Sequence, residues 1–386
     1  MALAASLAAA AVVPAALPAQ APAGWDDLSD RFRAYVQADQ VVGATIGWVQ
    51  DGRVVARRHL GLADRAAGRA VTDSTIWHWA SITKTLTAVA VLQLRDQGVL
   101  TLDDPATGRV PELRLVHDPF GSMDQVSIRM LLSHSSGFQN PTWPYGSGAP
   151  WEPFEPTAWS QLVAMMPWQE LRFAPGSRYG YSNPAYIYLA RIIEATTGDP
   201  WLGYVQQNLW TPLGMTRSYV NRTPPYLAPY RSNRYYVRRD PSGTARPEAA
   251  GPEFDPGVTI PNGGWNAPVD DVAAWIGFLT APASAPRAET LLARATLAEM
   301  WTPVVRVGEG DGVIEAMGLG FFLYDVNGRR LVGHTGDQGG FRSFMAFDPR
   351  SGRGIIGVVN TSNTTNPDSD AGFTSVFHAA LELLAR

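Results

Sequence analysis

Apolar positions in the first hundred residues fall into two alternating rhythms. Leu28, Phe32, Tyr35 and Val36 recur at helical spacing and predict a helix over Trp25–Asp39. The apolar run Val42–Val49, an Asp51-Gly52 turn and the return Val54–Leu60 then predict an antiparallel hairpin. Thr75–Ala80 is apolar and leads straight into a second helical pattern over Ser81–Gln97, where Ile82, Leu86, Val89 and Leu92 share a face and Gly98 follows as a stop. Leu102-Asp103-Asp104-Pro105 reads as a turn and Ser127–Ser133 as a short helix. Further helices are predicted over Ile187–Thr197, Pro200–Leu209, Asp270–Leu279 and Ala371–Leu384, with 221–262 rich in loops. Near the C-terminus, strands are predicted over 318–325 and 331–333 around Asn327-Gly328, then over Ser343–Phe347 and Gly354–Asn360.

Strands thus concentrate at the two ends of the chain and helices in its middle. The α/β (α+β) arrangement this predicts is one antiparallel sheet flanked by helices, built from 22–74 and 266–386, with residues 75–265 as a mostly helical insert and a cleft between the two. Residues 138–170 are crowded with aromatic side chains, among them Trp143, Trp151, Trp159 and Trp168. They read either as a surface excursion or as a wall of an apolar substrate cleft. Residues 1–25 carry no charged side chain, and Ala19-Gln20-Ala21 has a small-x-small pattern, so 1–21 reads as a secretory signal peptide and the protein as periplasmic or secreted. No basic residue stands ahead of the apolar run, and three prolines argue against a stable membrane span.

Composition narrows the chemistry. A net charge of −4 gives no case for nucleic acid as a partner. There is no cysteine, hence no disulfide, thiolate metal site or cysteine nucleophile, and the six histidines show no metal spacing, so no cofactor is expected. Lysine and arginine together number 31, yet lysine occurs once, at Lys84. Arginine stays charged at any workable pH, whereas a desolvated lysine can become a neutral base. Lys84 follows Ser81 by three residues, so on a helix the two share a face as candidate nucleophile and base. Ser81 would sit at the helix N-terminus, where free amides and the dipole favour an oxyanion and a neutral amine.

Three short motifs follow in order: Ser81-Ile82-Thr83-Lys84, Tyr181-Ser182-Asn183 and His334-Thr335-Gly336. With the flanking Leu131-Leu132-Ser133-His134-Ser135-Ser136-Gly137 and Gly339-Gly340-Phe341, the chain resembles the serine β-lactamase-like family of class C β-lactamases, penicillin-binding DD-peptidases, D-aminopeptidases and related carboxylesterases. The resemblance covers essentially the whole chain after residue 21. It implies the β-lactamase/transpeptidase-like fold and an acyl-enzyme on Ser81, with Lys84 as the base. It implies Tyr181 as proton shuttle, its phenol lowered by nearby cations. Asn183, His334, Thr335 and Gly336 would bind substrate, Asn183 holding the substrate amide or the lysine. The amides of Ser81 and Asp337 would form the oxyanion hole. His334 stands where class C β-lactamases carry lysine, and a class A deacylating glutamate motif is absent. The resemblance therefore points to a peptidase or amidase acting on a peptide or small-molecule substrate, with a carboxylesterase or weak β-lactamase as the alternative. An inactive binding relative is the reading from another class.

Overall fold

The computed structural model describes residues 21–138, 156–250, 253, 255–281, 290–308 and 313–386. The segment read as a signal peptide (apart from Ala21) and residues 139–155 of the aromatic stretch lie outside the described residues. Helix α1 (Trp25–Ala38) leads into strands β1 (Gly43–Gln50), β2 (Arg53–Asp64) and β3 (Arg69–Ala70). From the other end come β8 (Val305–Arg306), β9 (Ile314–Met317), β10 (Phe322–Val326), β11 (Arg329–Gln338), β12 (Phe341–Phe347) and β13 (Arg353–Val359). These nine strands form one sheet, ordered β3-β2-β1-β13-β12-β11-β10-β9-β8. Every pairing is antiparallel, and the two chain ends join where β1 pairs with β13, Ala44 opposite Val359.

Both faces of the sheet are covered, so its central strands are buried on both sides rather than alternating with solvent. Ala44, Ile46 and Trp48 of β1 and Phe344 of β12 point to one face, where they meet Phe32 of α1 and Phe373 and Phe377 of the C-terminal helix. Val49, Met345, Phe347, Ile356 and Val358 point to the other. There the cover includes the helix Val269–Thr280 and the helical middle of the chain. That middle contains β4 (Ile76–His78), α2 (Thr83–Asp96), α3 (Ile128–Leu132), α4 (Trp159–Met165), α5 (Asn183–Thr197) and α6 (Trp201–Val205). Helices α7 (Val269–Thr280), α8 (Arg294–Met300) and α9 (Ser369–Leu384) complete the set used here. Among the described residues no helix is long and apolar enough to cross a membrane.

Four elements differ from the sequence reading. The loop-rich stretch 221–262 contains a hairpin, β5 (Tyr235–Arg239) and β6 (Ala245–Ala249), with β14 (Thr361–Asn363) pairing parallel to β5. Its prolines and arginines obscured the alternation of Tyr235 and Val237 as buried positions. The strand read at 318–325 begins later, as β10 at Phe322; residues 318–321 form the turn that joins it to β9, a strand over Ile314–Met317 that the reading did not include. The strand read at 331–333 extends through Gln338, so His334, Thr335, Gly336 and Asp337 lie within β11 rather than after it. Helix α5 starts at Asn183, four residues earlier than read, because Ser182 caps it by accepting the Ala185 N–H (3.2 Å) and Pro184 is tolerated in the first turn.

Gly357 of β13 shows how tightly the sheet is covered. A Cβ there would lie 2.2 Å from Cζ of the buried Phe344 ring on β12. Gly357→Ala is expected to destabilise the protein by about 1–3 kcal/mol, as overpacking does. Urea unfolding should show a lower midpoint at unchanged slope; an unchanged midpoint would mean that the ring has room to turn.

Candidate active site

The Ser81 backbone is placed by a small two-stranded ladder. Strand β4 pairs with β7 (Asn266–Pro268), and the pairing continues as Trp79 N–H donates to Trp265 O (2.8 Å) and Ala80 bridges Gly264. Ala80 has φ +50°, a left-handed conformation costly for a residue with a Cβ, and the chain turns there to present Ser81 just before α2. Helix α2 therefore begins at Thr83 rather than Ser81; Lys84 N–H closes a turn on Ser81 O at 3.0 Å. The Ser81 N–H has no hydrogen-bond partner among the described residues. Gly336 of β11 passes against this corner. A Cβ on it would lie 2.4 Å from Trp79 O and 2.6 Å from Ser343 Oγ, so only glycine permits that approach.

Helix α2 is buried all round from Thr83 to Leu94, and the threonines of its first turns are matched one by one. Thr83 Oγ1 donates to Ala80 O and accepts the Trp265 N–H. Thr85 Oγ1 donates to Ile82 O and accepts the Trp275 indole N–H; Thr87 Oγ1 donates to Pro261 O and accepts that of Trp201. Lys84 is fully buried, with Nζ 3.0 Å from Ser81 Oγ, 2.7 Å from Asn183 Oδ1 and 2.8 Å from Asn262 O. Burial pushes its amine well below the usual lysine range. A neutral amine has two N–H bonds and one lone pair. The Asn262 carbonyl and Asn183 Oδ1 can only accept, so they take both N–H bonds, and the lone pair faces the Ser81 hydroxyl.

Tyr181 reaches the same oxygen through a hydrogen bond between its phenol and Ser81. Its ring centroid is 5.0 Å from Lys84 Nζ. Burial raises the Tyr181 phenol above its ordinary value, and the Ser81 bond opposes this only in part. The expected lowering by cations is thus reversed: burial raises the phenol, which keeps its proton. Ser182, not Tyr181 or Asn183, caps α5, and both flanking side chains face the site.

Ser81, Tyr181, Asn183, Thr335, Gly336 and Asp337 line one cavity of about 460 Å³. Its apolar wall comes from Phe322, Phe373 and Phe377, not from the described part of 138–170. There Phe138 packs on Tyr188 and Trp168 is 72% exposed. Beyond Gly333 the outer edge of β11 has no partner strand, because β10 ends opposite that residue, so the Asp337 backbone lies at an open edge beside Ser81. The expectation that His334 binds substrate needs correction. Its side chain is 1% exposed, it packs against Phe322 (5.0 Å between centroids) and Tyr181 (6.3 Å), and Nδ1 donates to Thr335 O. Burial lowers its pKa to about 3, so it is a neutral packing group behind the cavity. Two participants were missed from sequence. Asn262 acts through a main-chain carbonyl, which has no side-chain signal. His134, two elements away in the chain, accepts the Ser182 N–H at Nδ1 (3.1 Å); its only signal was its place in the Ser133–Gly137 stretch.

A sequence profile of the beta-lactamase family matches residues 28–380. The chain belongs to that family, whose members are serine hydrolases, and has its fold. It is 25% identical over 332 residues to protein flp of Staphylococcus aureus (strain COL), covering 86% of this chain and 62% of flp. The chain thus spans less than two thirds of that relative's length. It is 35% identical over 197 residues to esterase EstB of Burkholderia gladioli, covering 48% of each. The octameric penicillin-binding protein homologue from Pyrococcus abyssi superposes with a TM-score of 0.74 at 25% identity, over 93% of this chain and 77% of that one.

The neutral state of Lys84 has a thermodynamic signature. Its folded pKa lies below the unfolded value of 10.5, so between the two values the unfolded chain binds one more proton and stability rises with pH. Wild type compared with Lys84→Met should therefore gain stability as pH rises toward about 10.5, the unfolded lysine value. A stability difference that stays flat with pH in chemical denaturation would mean that Lys84 is an ammonium in the folded protein.

Proposed function

We propose that the protein hydrolyses amide and ester bonds of small peptides and acyl compounds through an acyl-enzyme on Ser81. The observation that carries this reading is the Lys84 amine, held by two pure acceptors so that its lone pair faces the Ser81 hydroxyl. Ser81 Oγ attacks the substrate carbonyl while its proton moves to Nζ. The resulting ammonium then has three donors for three acceptors already in place. The amides of Ser81 and Asp337 receive the developing oxyanion. The protonated Tyr181 phenol gives its proton to the leaving amine or alkoxide and recovers one from Lys84. Water then attacks the ester on Ser81 with the same pair acting in reverse.

Charge defines the substrate class. Among the described residues lining the cavity, Arg342 is the one cation. It is already engaged by Asp370 (3.0 Å) and Asp337 (3.5 Å). With His334 neutral and buried, the cavity-lining part of β11, Thr335–Asp337, offers no positive charge to a substrate carboxylate. This favours peptides and esters without a free carboxylate next to the scissile bond over penicillins and free C-terminal dipeptides. The likeness to EstB supports ester cleavage as a second activity of the same site. Export rests on the uncharged, alanine-rich residues 1–21.

Fluorophosphonate treatment with mass spectrometry of the adduct tests the nucleophile. Wild type is expected to be labelled at Ser81 and Ser81→Ala to stay unlabelled, while Lys84→Met should slow labelling by about 100-fold or more, the scale of a lost general base. Amides with a blocked terminus should turn over at least about tenfold faster than the free acids, an undemanding share of one charge interaction. No labelling of folded wild type would remove the hydrolase reading, and equal turnover of blocked and free substrates would remove the charge preference.

A further inference from the structure

We propose that His134 is the positioning residue for Tyr181, fixing the phenol where it delivers a proton to the leaving group. The proposal rests on the acyl-enzyme reading above. His134 follows α3 and is fully buried. Its main-chain oxygen accepts the Gly180 N–H (2.8 Å), and its Nδ1 accepts the Ser182 N–H (3.1 Å). These are the two amides on either side of Tyr181, so one residue holds the segment before and after the phenol. The imidazole also lies on the Tyr181 ring, with centroids 4.4 Å apart and planes 35° apart. Tyr181 is thereby fixed in backbone and in ring plane, with its hydroxyl at Ser81.

His134 has φ +55°, a left-handed backbone that histidine, like asparagine, adopts more readily than most residues. One feature shows that this imidazole is not there for packing alone. Because Nδ1 accepts, the neutral ring carries its proton on Nε2, and Nε2 is buried without a partner. An asparagine would suit the backbone and offer an acceptor on the same branch, with no buried ring N–H left unpaired. What only histidine supplies is the acceptor and the flat ring together. The groups facing it are Lys84 from α2, His334 from β11, and Tyr179, Tyr181 and Tyr186. Burial holds it neutral, as an accepting Nδ1 requires.

His134→Asn keeps the acceptor and removes the ring; His134→Phe keeps the ring and removes the acceptor. Proton delivery to the leaving group matters for amides. It matters little when Ser81 displaces fluoride from a fluorophosphonate, because the Oγ–P bond forms, the P–F bond breaks, fluoride departs as an anion and the serine proton goes to Lys84. Both variants are therefore expected to lose turnover of a peptide amide by tenfold or more, part of a general acid's contribution. Fluorophosphonate labelling and the acylation burst of p-nitrophenol from a p-nitrophenyl ester should change far less. In a Tyr181→Phe background His134→Asn should add almost no further loss, since its effect runs through the phenol. Equal losses on amide, activated ester and fluorophosphonate, or losses that multiply with Tyr181→Phe, would overturn the proposal and leave His134 a structural residue. Should His134→Phe fail to fold, the cycle with His134→Asn decides alone. Wild type inert to fluorophosphonate would instead remove the underlying acyl-enzyme reading.

Discussion

The arrangement depends on one unfavourable act: enclosing a lysine amine where water cannot reach it. A buried ammonium without a carboxylate partner is costly, and the cheaper state is the neutral amine. No carboxylate pairs with Lys84 among the described residues; its partners are an amide oxygen, a peptide carbonyl and the Ser81 hydroxyl. A carboxylate there would have restored the charge and removed the base. Neutral acceptors satisfy the N–H bonds while leaving the proton affinity of the lone pair available.

The rest of the neighbourhood keeps that enclosure dry and fixed. Thr83, Thr85 and Thr87 tie the first turns of α2 to Trp265, Trp275 and Trp201, so the helix bearing Lys84 is locked on several sides by hydrogen bonds that need no solvent. The left-handed Ala80 and the glycine contact at Gly336 bring two chain segments together at Ser81 that are far apart in sequence. Strain at Ala80 and His134 is concentrated beside the reacting oxygen and the phenol, where a residue must be aimed rather than merely packed.

Much of this was legible in the sequence, for physical reasons that differ by residue. Ser81 and Lys84 are one turn apart, so their proximity is local, and a single lysine among so many arginines marks a special proton affinity. The helices and most sheet strands show in their apolar period. His334 was misplaced as a substrate ligand because whether an imidazole faces a cavity or a core depends on which side of β11 it occupies, and the sequence alone had ended that strand too early. The Tyr181 phenol was misjudged because its proton affinity is set by burial, which shows only in the folded chain. Asn262 was invisible, since it contributes a peptide oxygen that any residue carries. The grip of His134 on Tyr181 joins two loops 47 positions apart and emerges only once α3 and α5 are packed.

The pairing of β1 with β13 also orders the assembly of the site during synthesis. The segment with Ser81, Lys84 and Tyr181 is made before β11, β12 and β13. Until they arrive, β1 has an open edge and Ser81 has no strand across from it. The nascent chain thus holds Ser81 and Lys84 before the strand that lines the other side of the cavity, and the cavity is complete only once β11 has joined the sheet.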